Sequence, residues 1–235
     1  MTKSIETCVI LRSVTGTNRA VILDFDGVLL DTESIVRPLW EQTCAGVGLH
    51  LPATVGWRGD GTTSSTDIAR WLAGRLSPLD VQDLTAHFER ENLRRADALP
   101  LMPDAREFLA RCADSARTLA VASGNDPWWV ERHLDRLGVR SWFSAVICAG
   151  GTLRPKPYPD VYVRALAVTG VEPAEAVAVE DSFAGLRAAV RARVPVVWAS
   201  RVDAAPPPDL PVVRRVRTLA DLLDATRCVP DRLVP

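Results

Sequence analysis

Lysine is nearly missing from this 235-residue sequence, which has only Lys3 and Lys156 and a formal net charge of −1. The other basic residues are arginines, most of which we interpret as a solvated surface. Because acidic and basic residues balance, no general electrostatic field attracts nucleic acid or a membrane surface. We therefore expect neither as a partner, and the isolated Lys156 needs an explanation.

Cysteine and histidine are scarce and scattered. The five cysteines are odd in number and form no CxxC pair, and the three histidines have no metal-ligand spacing. This argues against a disulfide framework or a zinc site and favours reduced, buried thiols. No apolar run approaches the length of a membrane span, and the N-terminus lacks a signal pattern. We expect a cytoplasmic protein, either a monomer or a homodimer.

What the sequence does contain is an unusual stretch from Ala20 to Glu33, AVILDFDGVLLDTE. Four apolar residues run straight into Asp24, as in a strand buried on both faces of a parallel sheet. Such sheets place chemistry at the carboxyl ends of their strands. In extended backbone, residues two apart point the same way, so Asp24 and Asp26 would aim two carboxylates into one pocket.

Paired carboxylates repel unless a shared proton or a cation offsets the charge. One carboxylate can accept a phosphoryl group as a nucleophile while its neighbour moves a proton. Carboxylates also suit Mg²⁺, which binds through one or two of them plus a substrate phosphate. An acidic turn would explain Asp26 but not Asp24, and a calcium loop would need an oxygen ligand where Val28 stands.

The pattern changes between residues 34 and 99, where apolar positions recur at helical spacing without a strand-like run. Beyond Pro100, strands alternate with helices and end in a last helix at 218–226, which predicts a doubly wound parallel α/β sheet. We predict four segments: an N-terminal arm (1–18), an α/β core (19–33 and 100–227), a helical insert (34–99) and a C-terminal tail (228–235).

Two further predicted strands end in polar residues, one at Ser123-Gly124-Asn125 and one at Glu180-Asp181. In a parallel sheet these ends lie at the same edge as Asp24, so we expect the three stretches to converge. The Ser123 hydroxyl and the amides of Gly124 and Asn125 could hold a phosphate at a helix start. Asp181, together with Glu180, would complete an acidic edge for a divalent ion.

Lys156 lies between two prolines in the segment RPKPYPD. The prolines restrict the backbone and lower the entropic cost of placing the lysine. Its ammonium group could neutralise both a phosphate and a carboxylate nucleophile. A surface lysine is the alternative, and both the proline setting and the rarity of lysine argue against it.

Together these segments resemble the haloacid-dehalogenase-like (HAD) superfamily, in the branch of β-phosphoglucomutase and many small-molecule phosphatases. DFDGVLLDTE is similar to that branch's first motif, and Ser123, Lys156 in KPYPD, and the run EDS at 180–182 are similar to its second, third and fourth motifs, in the right order. The resemblance covers roughly residues 19–200. It implies that the helical insert is a cap, that Asp24 is the nucleophile and Asp26 the acid/base, and that Mg²⁺ is held by Asp24, the Asp26 backbone carbonyl and Asp181.

The function implied by this resemblance is a Mg²⁺-dependent phosphatase that hydrolyses a small phosphorylated metabolite through an aspartyl phosphate. A sugar phosphate or a similar phosphomonoester would be the substrate. A sugar-phosphate mutase is the alternative, although Val36 occupies the position of a histidine that β-phosphoglucomutase has in its cap. Asp26 argues against a dehalogenase. The helical insert argues against a phospho-acceptor signalling domain, and the intact motifs argue against an inactive core that only binds a partner.

Substrate choice is expected to lie in the loop of the insert at 55–65, VGWRGDGTTSS. We predict that Trp57 packs on a sugar or ring face, that Arg58 binds an anion, and that Thr62 and Thr63 contribute to specificity. A solvent-exposed loop is the alternative. We interpret the pair Trp128-Trp129 as packing residues, with the alternative that one of the two lies near the cap.

Overall fold

A computed structural model describes residues 18–115, 117–203 and 205–223 of the chain. The predicted arm, apart from Asn18, and the predicted tail lie outside these residues. Three of the five cysteines, Cys44, Cys112 and Cys148, fall within them and are buried free thiols, as predicted. None of the described helices combines the length and apolar character needed to cross a membrane.

Six parallel strands form one sheet in the order β3-β2-β1-β4-β5-β6. Their bounds are Ala20–Leu23 (β1), Thr118–Ser123 (β2), Ala145–Cys148 (β3), Ala176–Glu180 (β4), Val196–Ala199 (β5) and Val212–Val216 (β6). Every residue of β1 and β4 is buried, which explains their apolar sequences, because helices cover both faces of the sheet. This confirms the predicted doubly wound α/β fold.

The register of the central strands brings their carboxyl ends to one level. Leu23, the last residue of β1, is aligned with Val121 of β2 and Val179 of β4. The residues that follow β1, β2 and β4 therefore meet at one edge of the sheet. This is the geometric reason why three stretches far apart in sequence can build one site.

Four helices cover the two faces of the sheet: Ala105–Asp114 (α4), Pro127–Arg136 (α5), Asp160–Thr169 (α6) and Phe183–Arg191 (α7). Helices α4 and α5 pack with Val21 and Leu23 in one apolar cluster. Helices α6 and α7 pack with Ala20 and Ile22 in a second cluster. Alternate residues of β1 thus enter opposite cores, as the two-residue period of a strand requires.

The helical insert contains helices Glu33–Ala45 (α1), Ser65–Ala73 (α2) and Pro78–Ala96 (α3), and it has its own apolar cluster. Trp40 of α1 is fully buried and stacks on Phe88 of α3, with ring centroids 4.0 Å apart. The Trp40 indole N–H donates to Ser65 Oγ at 2.9 Å and so ties α1 to α2. The three helices therefore share one core around Trp40.

Two features of the C-terminal part differ from the sequence prediction. Strand β6 was not predicted, because it is a half-buried edge strand whose sequence VVRRV carries two arginines in place of a continuous apolar run. The last helix was predicted at 218–226, whereas the described residues hold only a short 3₁₀ helix, Leu219–Leu222. A capping box formed by Thr218 and Asp221 fixes the start of this short helix.

Candidate active site

The two carboxylates that follow β1 line one cavity of about 350 Å³. Asp24 continues the sheet, because its backbone N–H donates to Val179 O at 2.9 Å, and its side chain is nearly buried. Burial and the neighbouring Glu180 carboxylate raise the pKa of Asp24 to about 7, although Lys156 opposes the shift. Asp24 thus lies in a site with more negative than positive charge.

Asp26 is held by donors from helix α5 and the loop before it. The Asn125 side-chain amide donates to Asp26 Oδ2, and the Trp129 indole N–H donates to Asp26 Oδ1, each at 3.2 Å. Burial raises the pKa of Asp26 above its ordinary range, against the effect of these donors. A carboxyl group of raised pKa, oriented on both oxygens, is suited to moving a proton.

The Ser123 loop contributes the next wall of the cavity, which Ser123, Gly124 and Asn125 all line. Ser123 is buried at the end of β2, and its Oγ accepts from the Asn125 backbone N–H at 3.0 Å. Helix α5 does not begin within this loop. Its N-cap is the next residue, Asp126, whose side chain accepts from the Trp128 backbone N–H at 2.8 Å. The Asn125 backbone amide, one of the two predicted to bind a phosphate, therefore forms a hydrogen bond within the turn instead.

Lys156 reaches the same cavity from the proline-rich segment, and its side chain is buried. Its Nζ lies 2.9 Å from Asp24 Oδ1 and forms a second ion pair with Glu180 Oε1. Burial alone would lower the pKa of Lys156, but the two carboxylates outweigh it and raise the pKa above the ordinary lysine value. The lysine is therefore a fixed positive charge beside Asp24.

Glu180, predicted as a metal ligand, is fully buried, and both of its oxygens have partners in the protein. Its Oε1 accepts from Lys156 and from the Tyr162 hydroxyl, the latter at 2.9 Å. Its Oε2 accepts from the backbone N–H groups of Asp181 and Ser182, at 3.1 and 3.2 Å. Glu180 is absent from the cavity lining, so it holds Lys156 and the Asp181 loop in place.

Asp181 lines the cavity and completes a carboxylate cluster. One oxygen each from Asp24, Glu180 and Asp181 lies within 4.8 Å of the others. Burial and the Asp24 and Glu180 carboxylates raise the pKa of Asp181 far above its ordinary value. A Cβ on Gly27, whose φ is +76°, would lie 1.8 Å from Asp181 Oδ2, so only glycine fits here. This excess of carboxylate oxygens suits a divalent cation.

The four specificity residues predicted in the insert separate into two pairs. Thr62 and Thr63 line the cavity, whereas Trp57 and Arg58 do not. The Arg58 guanidinium donates to Ser64 Oγ at 2.8 Å and pairs with Asp67 at 3.3 Å, and about half of the Trp57 surface is exposed. The structure therefore gives no support to the predicted roles of Trp57 and Arg58 at the cavity.

Other lining residues had no role in the sequence analysis. Glu33 accepts from Thr63 N at 3.0 Å, and burial raises its pKa to about 7. Asn92 of α3 and Trp129 of α5 also face the cavity. Glu33 lies inside the first motif and could have been suspected from it. Trp129 was interpreted as a packing residue, and nothing in the local sequence shows that its N–H meets Asp26.

Comparison with known proteins agrees with the resemblance noted in the sequence. The family model described as haloacid dehalogenase-like hydrolase matches residues 18–193. Fructose-1-phosphate phosphatase YqaB of Escherichia coli is 30% identical over 181 residues, covering 72% of this chain and 89% of that protein. Hexitol phosphatase B of Escherichia coli is 31% identical over 189 residues, covering 74% of this chain and 80% of that protein.

Solved structures of CbbY from Rhodobacter sphaeroides share the fold and are 26% identical to this chain. They cover 87% of this chain and 96% of CbbY. The structure with phosphate has a TM-score of 0.67, and that of a variant with xylulose-(1,5)bisphosphate has 0.66. The family match and the relatives named as phosphatases confirm the predicted class, a phosphoric monoester hydrolase.

Proposed function

This chain belongs to the haloacid dehalogenase-like hydrolase family, and on that premise we propose that it is a Mg²⁺-dependent phosphatase that acts through an aspartyl phosphate on Asp24. The observation that carries the proposal is the placement of Asp24 between Lys156 and the Asp181 carboxylate, with Asp26 in the same cavity. The substrate class is a small phosphorylated metabolite, a sugar phosphate or a similar phosphomonoester. The named activities of YqaB and hexitol phosphatase B support this class.

Asp24 and Asp181 would hold the divalent ion, with the Asp26 backbone carbonyl as the third protein ligand that the family resemblance implies. When bound, the ion would polarise the phosphoryl group and offset its negative charge. Glu180 was predicted as a further ligand, but its oxygens are engaged by Lys156, Tyr162 and the amides that follow it. We therefore assign Glu180 to positioning Lys156.

In the first step, a carboxylate oxygen of Asp24 attacks phosphorus in line, and the ester P–O bond breaks. Asp26 gives its proton to the leaving oxygen, for which its raised pKa is suited. The ammonium of Lys156 and the hydroxyl of Ser123 bind the phosphoryl oxygens and stabilise charge that develops there. The leaving group departs as an alcohol, and Asp24 carries the phosphoryl group.

In the second step, Asp26 takes a proton from water, which attacks the phosphorus of the aspartyl phosphate. The bond to Asp24 breaks, and inorganic phosphate and the free carboxylate are formed. We propose that the helical insert acts as a cap that closes over the cavity for the first step and opens for the second. The insert supplies Thr62, Thr63, Phe88 and Asn92 to the lining, which supports this role.

The test is phosphate release from a panel of sugar, polyol and nucleotide monophosphates, with Mg²⁺ and with excess EDTA. Asp24→Asn is the variant, and Asp83→Asn, at an exposed position of α3, is the matched control. We expect release that requires both Mg²⁺ and Asp24 and is unchanged in the control. Turnover that survives Asp24→Asn in a folded protein would refute the mechanism.

A sugar-phosphate mutase is the second candidate and predicts isomerised sugar phosphate in the same samples. Val36 lines the cavity at the position of the β-phosphoglucomutase histidine and has no group that could transfer a proton. We therefore favour the phosphatase. Isomer formation without phosphate release would reverse that preference.

A further inference from the structure

Two polar atoms of the helical insert that line the cavity have no partner among the residues that the structure describes. They are Thr63 Oγ1 and Asn92 Oδ1, which are buried and make no hydrogen bond to those residues. Buried polar atoms are nearly always satisfied, so unpaired ones in a cavity indicate where polar groups of a ligand bind. Neither residue is among those that we propose to act on the phosphoryl group.

Glu33 adds a carboxylate next to Thr63, because its Oε2 accepts from the Thr63 backbone N–H at 3.0 Å, and it lines the same cavity as Asn92. Carboxylate and amide oxygens accept hydrogen bonds, and a threonine hydroxyl can donate or accept. Val36 and Phe88 line the same cavity and offer apolar surface. A chain of carbon atoms carrying hydroxyl groups matches both kinds of surface.

The charges of the cavity lining disfavour a substrate that carries a second anionic group besides the phosphate that is hydrolysed. Asp24, Asp26, Glu33 and Asp181 all line the cavity, and among the residues that the structure describes Lys156 is the one lysine, arginine or histidine that does so. Lys156 is already paired with Asp24 and Glu180. In the proposed mechanism Asp24 and Asp181 are offset by the divalent ion and Asp26 carries a proton, so Glu33 is the lining carboxylate that remains to repel a second anionic group. A second phosphate or a carboxylate on the substrate would meet this charge without a free cation to offset it.

We propose that Glu33, Thr63 and Asn92 form a leaving-group subsite that selects neutral, hydroxyl-bearing monophosphates of sugars or polyols over esters with a second anionic group. Glu33 acts as the charge filter of this subsite, and the Thr63 and Asn92 side chains bind hydroxyl groups. The proposal rests on the phosphatase function proposed above. It separates this chain from CbbY, a variant of which was solved with a bisphosphate.

The test compares kcat/KM at pH 8, above the pKa of about 7 that burial gives Glu33, for fructose 1-phosphate and fructose 1,6-bisphosphate, two esters of one sugar that differ by a phosphate. We expect the wild-type protein to favour the monophosphate by about a hundredfold or more, because the bisphosphate adds repulsion without a counter-charge. Glu33→Gln should lower the ratio of kcat/KM for the monophosphate to kcat/KM for the bisphosphate about tenfold. Asn92→Asp, which adds a carboxylate, should raise this ratio by a similar factor. Glu89→Gln, an exposed substitution on the helix of Asn92, is the matched control and should leave the ratio unchanged.

Assays with phenyl phosphate, and a series without Mg²⁺, distinguish a failure of the proposed function from a failure of the subsite proposal. If no ester, including phenyl phosphate, releases phosphate in a Mg²⁺-dependent reaction, the proposed function fails and the subsite proposal fails with it. If phosphate is released but kcat/KM for the bisphosphate equals that for the monophosphate, the subsite proposal alone is overturned. A ratio that both Glu33→Gln and Asn92→Asp leave unchanged, with folding verified by circular dichroism, also overturns it.

Discussion

Asp60 connects the helical insert to the core, and removing its carboxylate should weaken closure over the cavity. The residue lies in the loop between α1 and α2 and is nearly buried. Its Oδ2 accepts from the backbone N–H of Phe183 at 2.7 Å, at the start of α7 and two residues after Asp181. Its Oδ1 accepts from the N–H and the hydroxyl of Thr62, at 3.0 and 2.7 Å.

The size of the effect follows from these contacts. A hydrogen bond to a charged group contributes about 1.5–3 kcal/mol, and an anion at a helix N-terminus adds about 0.3–1 kcal/mol. When the loop opens, water can satisfy the Phe183 N–H, so no buried unpaired donor is left behind. We take about 2 kcal/mol for the link, which is roughly thirtyfold in the closure equilibrium.

The assay is steady-state phosphate release by Asp60→Ala and Asp60→Asn, with Asp83→Ala as an exposed control on α3. We expect Asp60→Ala to lower kcat/KM by about 10–100-fold, mainly through KM, and Asp60→Asn to have an intermediate effect. Hydrogen exchange should accelerate in the loop 46–64 of both variants. A kcat/KM within twofold of wild type, together with unchanged exchange in that loop, would refute the role of Asp60 in closure.

Three further predictions concern single residues. Lys156→Met should lower kcat by about 10²–10³-fold in phosphate-release assays while the protein stays folded, because it removes the cation 2.9 Å from Asp24; a loss below tenfold would contradict this. Burial lowers the pKa of His133 from 6.5 to about 4, so the unfolded chain takes up the proton first. The free energy of unfolding should therefore fall as pH drops from 6.5 to 4, with a contribution from this residue of up to about 3 kcal/mol. Urea titrations at several pH values would measure the free energy of unfolding of wild type and of His133→Phe. The same pH dependence of this free energy in both proteins would exclude a contribution from His133. Trp40→Ala should cost about 3–5 kcal/mol in urea unfolding, because Trp40 is fully buried and stacked on Phe88; a cost below 1 kcal/mol would disprove the central role of Trp40.

Much of the site could be predicted from sequence because strand ends are local signals. The apolar run before Asp24 marks a buried strand, and Ser123 and Glu180 each stand at the end of another. In a parallel sheet such ends must share an edge, whatever the details of packing. The rarity of lysine and the prolines around Lys156 identified the remaining cation without any knowledge of its partners.

The contacts of Glu180 with Lys156 and Tyr162 could not be predicted, because a glutamate at the end of a strand has the same sequence signature whether it faces a metal ion or a lysine. Its burial and its contact with the Tyr162 hydroxyl are set by helix α6 on the face of the sheet. The edge strand β6 was missed for a related reason. An edge strand is buried on only part of its surface, so its sequence tolerates arginines and loses the apolar pattern.

The sequence by itself determined the fold class, the order of the motifs and the carboxylates at the end of β1, because these depend on local pattern and on the geometry of parallel strands. Only the tertiary structure decided which side chains of the helical insert face the cavity. It placed Arg58 beside Asp67 and Asp60 beside Phe183, and it left Thr63 Oγ1 and Asn92 Oδ1 without a partner in the part of the chain that the structure describes. These contacts join residues of separate elements, and their geometry depends on how the helices pack, which no local sequence pattern encodes.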